Sequence, residues 1–271
     1  MKRIFLVLSI LILSISIIGC TSTPEEETDT ELDVGVAFYP MKDILDLIED
    51  DLEKEGYQLN IHEFTDYQAP NNLVDNEELD ANMIQHDYYL QSFNEANDSD
   101  LVTVQAIYHA TFALYSQDYE SLDEIPDGAR ITLPDDSTNL SRALYLLGQA
   151  GLLTFEDNKT VGLTLDDIES NPKNLDLEDQ VPLTSLAQRY TETGMAIMYP
   201  TYAISLELTD DEERLYVEEQ DQVTEDYAIS LVAREDNKDS EKIQALIDHI
   251  TSEEVRQFLI DEYSWASSPA F

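Results

Sequence analysis

The sequence predicts an α/β protein of two lobes with a ligand cleft between them. Three observations carry this. A strand–helix–strand unit opens the folded part of the chain, and a second α/β set begins near residue 117. A long β-rich segment, LVTVQAIYHATFALYS (101–116), joins the two. A strand–helix–strand unit implies parallel pairing with a right-handed crossover, and open α/β sheets bind ligands beyond the carboxyl ends of their strands.

The elements follow in order. LDVGVAFYP (32–40) reads as a strand running into a proline loop. MKDILDLIEDDLEKEG (41–56) carries Ile44, Leu45, Leu47, Ile48 and Leu52 at helical spacing. YQLNIHEF (57–64) alternates like a strand, and 72–79 suggests a helix. DANMIQHDYYLQSFNEAN (80–97) opens as a short strand and continues as a helix. In the second set, ARITLP (129–134) is strand-like, and DDSTNLSRALYLLGQAG (135–151) is a capped helix closing on glycine. NLDLEDQV and GMAIMYP read as strands on either side of the helical LTSLAQRYTE. LYVEEQ, the strand DYAISLVARED and one final helix, SEKIQALIDHITSEEVRQFLIDEY, complete the chain. The first lobe is expected over 32–112, the second over 113–203, and a return segment of the first over 204–271.

Residues 1–19 read as a secretory leader: Lys2 and Arg3, then an apolar run from Phe5 to Ile18. That run is short for a permanent span of roughly 20 residues. Gly19 before Cys20 resembles a lipobox, after which the cysteine is acylated, with palmitate among the expected chains. The alternative is an ordinary signal peptide; lipidation is favoured because Cys20 is the only cysteine. Residues 20–31, polar and acidic, read as a flexible tether. A soluble body lipid-anchored on the extracytoplasmic face of the cell membrane is therefore expected.

The chain carries 58 acids against 14 bases, net −44; without Lys2 and Arg3 it is net −46. The acids are spread along the whole length, as in DLIEDDLEKEG and DDEERLYVEEQD. Spread acidity reads as a halophile-like surface adapted to a saline or alkaline exterior. A cation-binding role is the competing reading, but no stretch has the spaced oxygen ligands and turn glycine of a calcium loop. So negative a surface disfavours nucleic acid as a partner.

Enzyme signals are lacking. The sequence has no glycine-rich phosphate loop, no metal motif and no GxSxG elbow, so neither a cofactor nor a metal is expected. The histidines His62, His86, His109 and His249 are scattered. Two clusters stand out. Ser137, Thr138, Asn139 and Arg142 lie where a strand ends and a helix starts, a place that attracts anions; the competing reading is an arginine paired with a surface acid. His86, Tyr88 and Tyr89 follow another strand end and suit a small amphipathic ligand, or else pack in the core.

An ordered set of stretches then resembles a known family: DYQAPN, ELDANMIQHDYYL, LPDDSTNLSRALYLL, NPKNL, PTYA, REDNKD and the ending SPAF. The chain resembles the methionine-type substrate-binding lipoproteins of ABC importers, the NlpA family, over nearly all of its mature length. The resemblance implies a type II periplasmic-binding fold that closes on methionine or a related amino acid or short peptide. A monomer would deliver that ligand to a permease with an ATPase partner. Tyr67, His86 and Tyr89 would line the side-chain pocket, and Asn139 and Arg142 would hold the carboxylate.

Three positions depart from the family. An aromatic residue is replaced by Ile84, and two asparagines by Tyr199 and Ile229. The two amides normally help satisfy the ligand's amino-acid backbone, and a buried unpaired ammonium is costly. A tyrosine face or hydroxyl at 199 would compensate in part. The alternative function is a surface interaction or sensory lipoprotein of the same fold, with a changed small-carboxylate ligand and no transport role.

The charge generates a prediction. Dispersed like charges penalise the compact state at low salt and are screened at high salt. The melting temperature of the mature domain is expected to rise from low to molar salt. A flat or falling value over that range, read by differential scanning fluorimetry, would point to a specific cation site instead.

Overall fold

A computed structural model describes residues 30–208 and 214–271. The expected leader, Cys20 and nearly all of the tether lie outside the described residues.

Strand β1 (Glu31–Val36), helix α1 (Met41–Glu55) and β2 (Gln58–Glu63) form the predicted crossover unit, with β1 and β2 parallel in register Glu31 to Gln58. Helix α1 buries Met41, Ile44, Leu45, Ile48 and Leu52 and ends at Gly56, whose φ of 97° only glycine adopts readily. Helix α2 (Ala69–Asp75) precedes β3 (Ala81–Gln85), α3 (Asp87–Asn97) and β4 (Val102–Ala110). The expected helix at 72–79 thus starts earlier, because Pro70 suits a first turn, and it stops before Glu77, whose φ is positive.

Beyond β4 the chain passes to a second group: β5 (Ala113–Ser116), β6 (Leu133–Pro134), α4 (Ser137–Gln149), β7 (Thr154–Phe155), β8 (Ile168–Ser170) and β9 (Gln180–Val181). Helix α5 (Leu186–Thr193), β10 (Met195–Met198), α6 (Pro200–Ala203) and β11 (Arg214–Val217) continue it. The last elements are β12 (Ile229–Ala233), α7 (Glu241–Ile250), α8 (Glu253–Tyr263) and β13 (Ser267–Pro269).

The first sheet has the order β13-β4-β12-β3-β1-β2, and the second the order β10-β5-β11. The parallel pair β6 and β9 joins β10 through a bridge between Thr132 and Ala196. Each sheet has its own apolar core. Leu32, Val34, Ile44, Leu231 and Leu246 belong to the first, and Phe112, Leu114, Leu144, Leu147 and Ile197 to the second.

The β-rich stretch 101–116 crosses between the two sheets as two strands, interrupted at Thr111 and Phe112, where the Thr111 N–H turns to the Ala266 carbonyl. Two expectations are corrected. The return to the first sheet comes later than residue 204, because β11 pairs with β5 in the second sheet. The final helix is two helices: the Ser252 hydroxyl accepts from the Val255 N–H and starts a new turn.

The strands place the site. The chain after β3 reaches His86, the chain after β6 reaches Asp136 and α4, and the chain after β10 reaches Tyr199. All three are carboxyl ends. Beneath His86, the buried amides of Asn71, Asn82 and Gln85 bond one another: Asn71 donates to Gln85 at 2.7 Å, and Asn82 donates to Asn71 at 2.8 Å. A fully paired amide network in the core holds a strand end in one place.

Candidate functional site

A cavity lies between the two sheets. Seven of the eight positions singled out by the family resemblance line it: Tyr67, Ile84, His86, Tyr89, Asn139, Tyr199 and Ile229, whereas Tyr88, Ser137 and Thr138 stand outside it. Phe38, Tyr108 and Thr201 are among the lining residues that the sequence did not reveal. Its volume is about 40 Å³. No charged side chain lines it among the described residues.

Its first wall is aromatic. Phe38 and Tyr67 lie 5.0 Å apart by ring centroids, and Tyr67 and Tyr89 lie 6.2 Å apart. Ile84, on β3, and Ile229, on β12, are both buried and add aliphatic surface where the family pattern has an aromatic ring and an amide. His86 caps α3: its Nδ1 accepts from the Tyr89 N–H at 3.1 Å. That bond assigns the proton to Nε2, which donates to Asn139 Oδ1 at 3.4 Å. Burial, with the positive Arg142 nearby, lowers the His86 pKa to about 3, so the ring is neutral at physiological pH.

The opposite wall is a chain of polar contacts. The Tyr199 hydroxyl donates to Asn139 Oδ1 at 2.6 Å and accepts from Arg142 Nη1 at 3.0 Å. Asn139 Nδ2 donates to both carboxylate oxygens of Asp136 at 3.1 Å. The two walls meet directly: Tyr67 and Tyr202 share a hydroxyl hydrogen bond of 2.8 Å, and Arg142 Nη2 reaches the Ala110 carbonyl at 3.2 Å.

Arg142 stands elsewhere than the sequence suggested. It is only 1% exposed and lies behind Tyr199 and Asn139, outside the cavity lining. Its Nε and Nη2 make a bidentate pair with Glu218, at 2.8 and 2.5 Å. The rings of Phe112, Tyr199 and Tyr227 pack on the guanidinium within 4.9, 5.3 and 4.7 Å. Burial works against the charge, and the Glu218 carboxylate with the Tyr199 hydroxyl outweighs it, so the guanidinium pKa is raised further. The start of α4 is also satisfied from within: the Asp136 carboxylate caps it, accepting the Asn139 N–H at 2.9 Å. Glu218 had no signal in the sequence. It is one acid among 58, and only the ring packing and the fork geometry single it out.

Residues 32–271 match the sequence profile of the NlpA lipoprotein family. The chain is 33% identical over 273 residues to the methionine-binding lipoprotein MetQ of Bacillus subtilis, covering 99% of each. It is similar in structure to a nutrient-binding protein from Burkholderia cenocepacia bound to methionine, with a TM-score of 0.81 and 27% identity over 89% of this chain and 100% of that one. The substrate-binding protein of a methionine transporter from Streptococcus pneumoniae gives a TM-score of 0.81 and 28% identity, over 89% and 96% of the two chains.

Two predictions follow from the buried charges. Removing one partner of a buried ion pair strands the other, so Arg142→Ala or Glu218→Ala is expected to cost about 3–5 kcal/mol, read from urea unfolding. The double replacement Arg142→Met with Glu218→Leu is expected to cost less than either single change. The second concerns pH. His86 has a folded pKa below its unfolded value, so the unfolded chain takes the proton first. The stability it supports is complete above about pH 6.5 and is lost as pH falls from there toward 3. Between pH 7 and 5 the wild type is expected to lose more stability than His86→Gln; equal losses in paired melts would contradict the buried neutral ring.

Proposed function

The chain belongs to the NlpA lipoprotein family, and from that premise we propose that it is the substrate-binding lipoprotein of an ABC importer. It takes up methionine or a related amino acid or short peptide and hands it to a membrane permease driven by an ATPase. The first lobe comprises residues 32–112 with the segment after β11, and the second runs from 113 to β11. Cys20 carries the lipid anchor, which keeps the monomeric binding domain on the extracytoplasmic face of the membrane.

One observation carries the reading: a single cavity is lined from both lobes and bridged across its rim. Tyr67, His86 and Tyr89 come from the first lobe, and Asn139 and Tyr199 from the second. A ligand that touches both sides favours the closed arrangement by its differential affinity, the basis of a closing trap. The thioether of a methionine-like side chain suits the wall of Phe38, Tyr67 and Tyr89, because sulfur on a ring edge is favourable by about 0.3–1.5 kcal/mol.

Thermal-shift screening of the mature domain at high salt tests this. The panel holds the free amino acids, short methionine peptides and methionine derivatives. A ligand present at 100 times its Kd adds about 2.7 kcal/mol. At least one methionine-related compound is expected to raise the Tm by several degrees; a panel without any shift would remove the transport reading.

A further inference from the structure

The cavity differs from a receptor for a free amino acid in one respect: the guanidinium beside it and the first turn of α4 are already held by carboxylates of the chain. The fork of Arg142 is on Glu218, and its Nη1 is on the Tyr199 hydroxyl. The first turn of α4 is on Asp136. The Tyr199 oxygen bridges Arg142 Nη1 and Asn139 Oδ1, and it presents the cavity with a neutral hydroxyl in place of a guanidinium.

Several neighbouring amide and imidazole groups are also engaged. Gln85 Nε2 donates to Asn71 and Asn82, His86 Nε2 donates to Asn139, and Asn139 Nδ2 donates to Asp136. An ionised group entering such a space loses its hydration and gains no counter-charge, which is among the costliest exchanges in a protein interior. The net −46 of the mature chain opposes an anion at longer range as well.

We propose that Tyr199 is a specificity-determining residue and that the cavity takes a small, apolar, uncharged ligand, such as a thioether whose carboxyl group is an amide, in preference to the free zwitterion. This rests on the reading of the cleft as the ligand site of a substrate-binding protein. Tyr199 acts as a fixed internal oxygen on Arg142, so a carboxylate gains access to the guanidinium only by displacing it. A carbonyl needs no such displacement and meets hydroxyls such as those of Tyr108 and Thr201, both in the lining.

A charge series on one side chain tests this by calorimetry: methylthiopropionamide, methylthiopropionate, methylthiopropylamine and L-methionine. The wild type is expected to bind the neutral amide at least about tenfold more tightly than the other three, because the cavity offers an ion no partner. Tyr199→Asn shortens the side chain and opens Arg142 to the cavity. It is expected to raise the affinity for methylthiopropionate and L-methionine by about tenfold, the effect of one charge-assisted contact. Tyr199→Phe keeps the ring and removes only the oxygen, so it carries the test if the smaller residue unfolds the domain. Its preference for the amide should fall severalfold, and an unchanged preference would overturn the role of the hydroxyl. A wild type that binds L-methionine or methylthiopropionate more tightly than the amide would overturn the inference while the transport reading stands. If neither this series nor the wider panel binds the folded domain, both fall together.

Discussion

A guanidinium buried between two lobes constrains everything around it. Arg142 has 1% of its surface in water, and Glu218 beside it 5% in their side chains. Desolvating two such ions costs several kcal/mol each, and only good geometry recovers it. The chain supplies that geometry in full: a bidentate fork, a tyrosine hydroxyl, a backbone carbonyl and three aromatic faces. Each partner comes from a different part of the sequence. Ala110 ends β4, Phe112 starts the crossing into the second sheet, Tyr199 follows β10 and Glu218 follows β11. The pair therefore ties both passages between the lobes to the floor of the cleft.

This bears on closure. In a two-state trap the hinge must move while the site stays formed. The passages at 111–112 and after β11 flank the Arg142 cluster, whereas the contacts of Tyr67 with Tyr202 and of His86 with Asn139 join the two walls of the cavity. Both are single hydrogen bonds between neutral groups. Neutral hydrogen bonds contribute about 0.5–1.5 kcal/mol each. The contacts between the walls are thus weak and neutral, and the strong charged pair lies beside the passages between the sheets.

The surface follows a different rule from the site. Outside, acids outnumber bases about fourfold, and several ion pairs join lysine or arginine to a nearby acid on one helix, such as Lys42 with Asp46. Exposed pairs of this kind add about 0.2–1 kcal/mol at best, and salt weakens them. The cavity shows no charged side chain among the described residues. An acidic exterior thus surrounds a cavity whose described lining carries no charged side chain.

Much of this was legible in the sequence. Periodicity found α1, because Ile44, Leu45, Ile48 and Leu52 repeat at helical spacing whatever the tertiary context. The resemblance named seven residues that line the cavity, since motifs such as ELDANMIQHDYYL and PTYA run over strand ends that face it. It also marked Tyr199 and Ile229 as departures. Sequence reading failed where partners are far apart along the chain. It returned the chain too early, because the pairing of β11 with β5 is a long-range choice. It gave Arg142 to a ligand, because neither the Glu218 fork, 76 residues away, nor the Asp136 cap has a local signature among so many acids. Local patterns determined the elements and most of the lining. Only the folded chain decided which charges meet, because pairing depends on distances in space that a one-dimensional spacing does not encode.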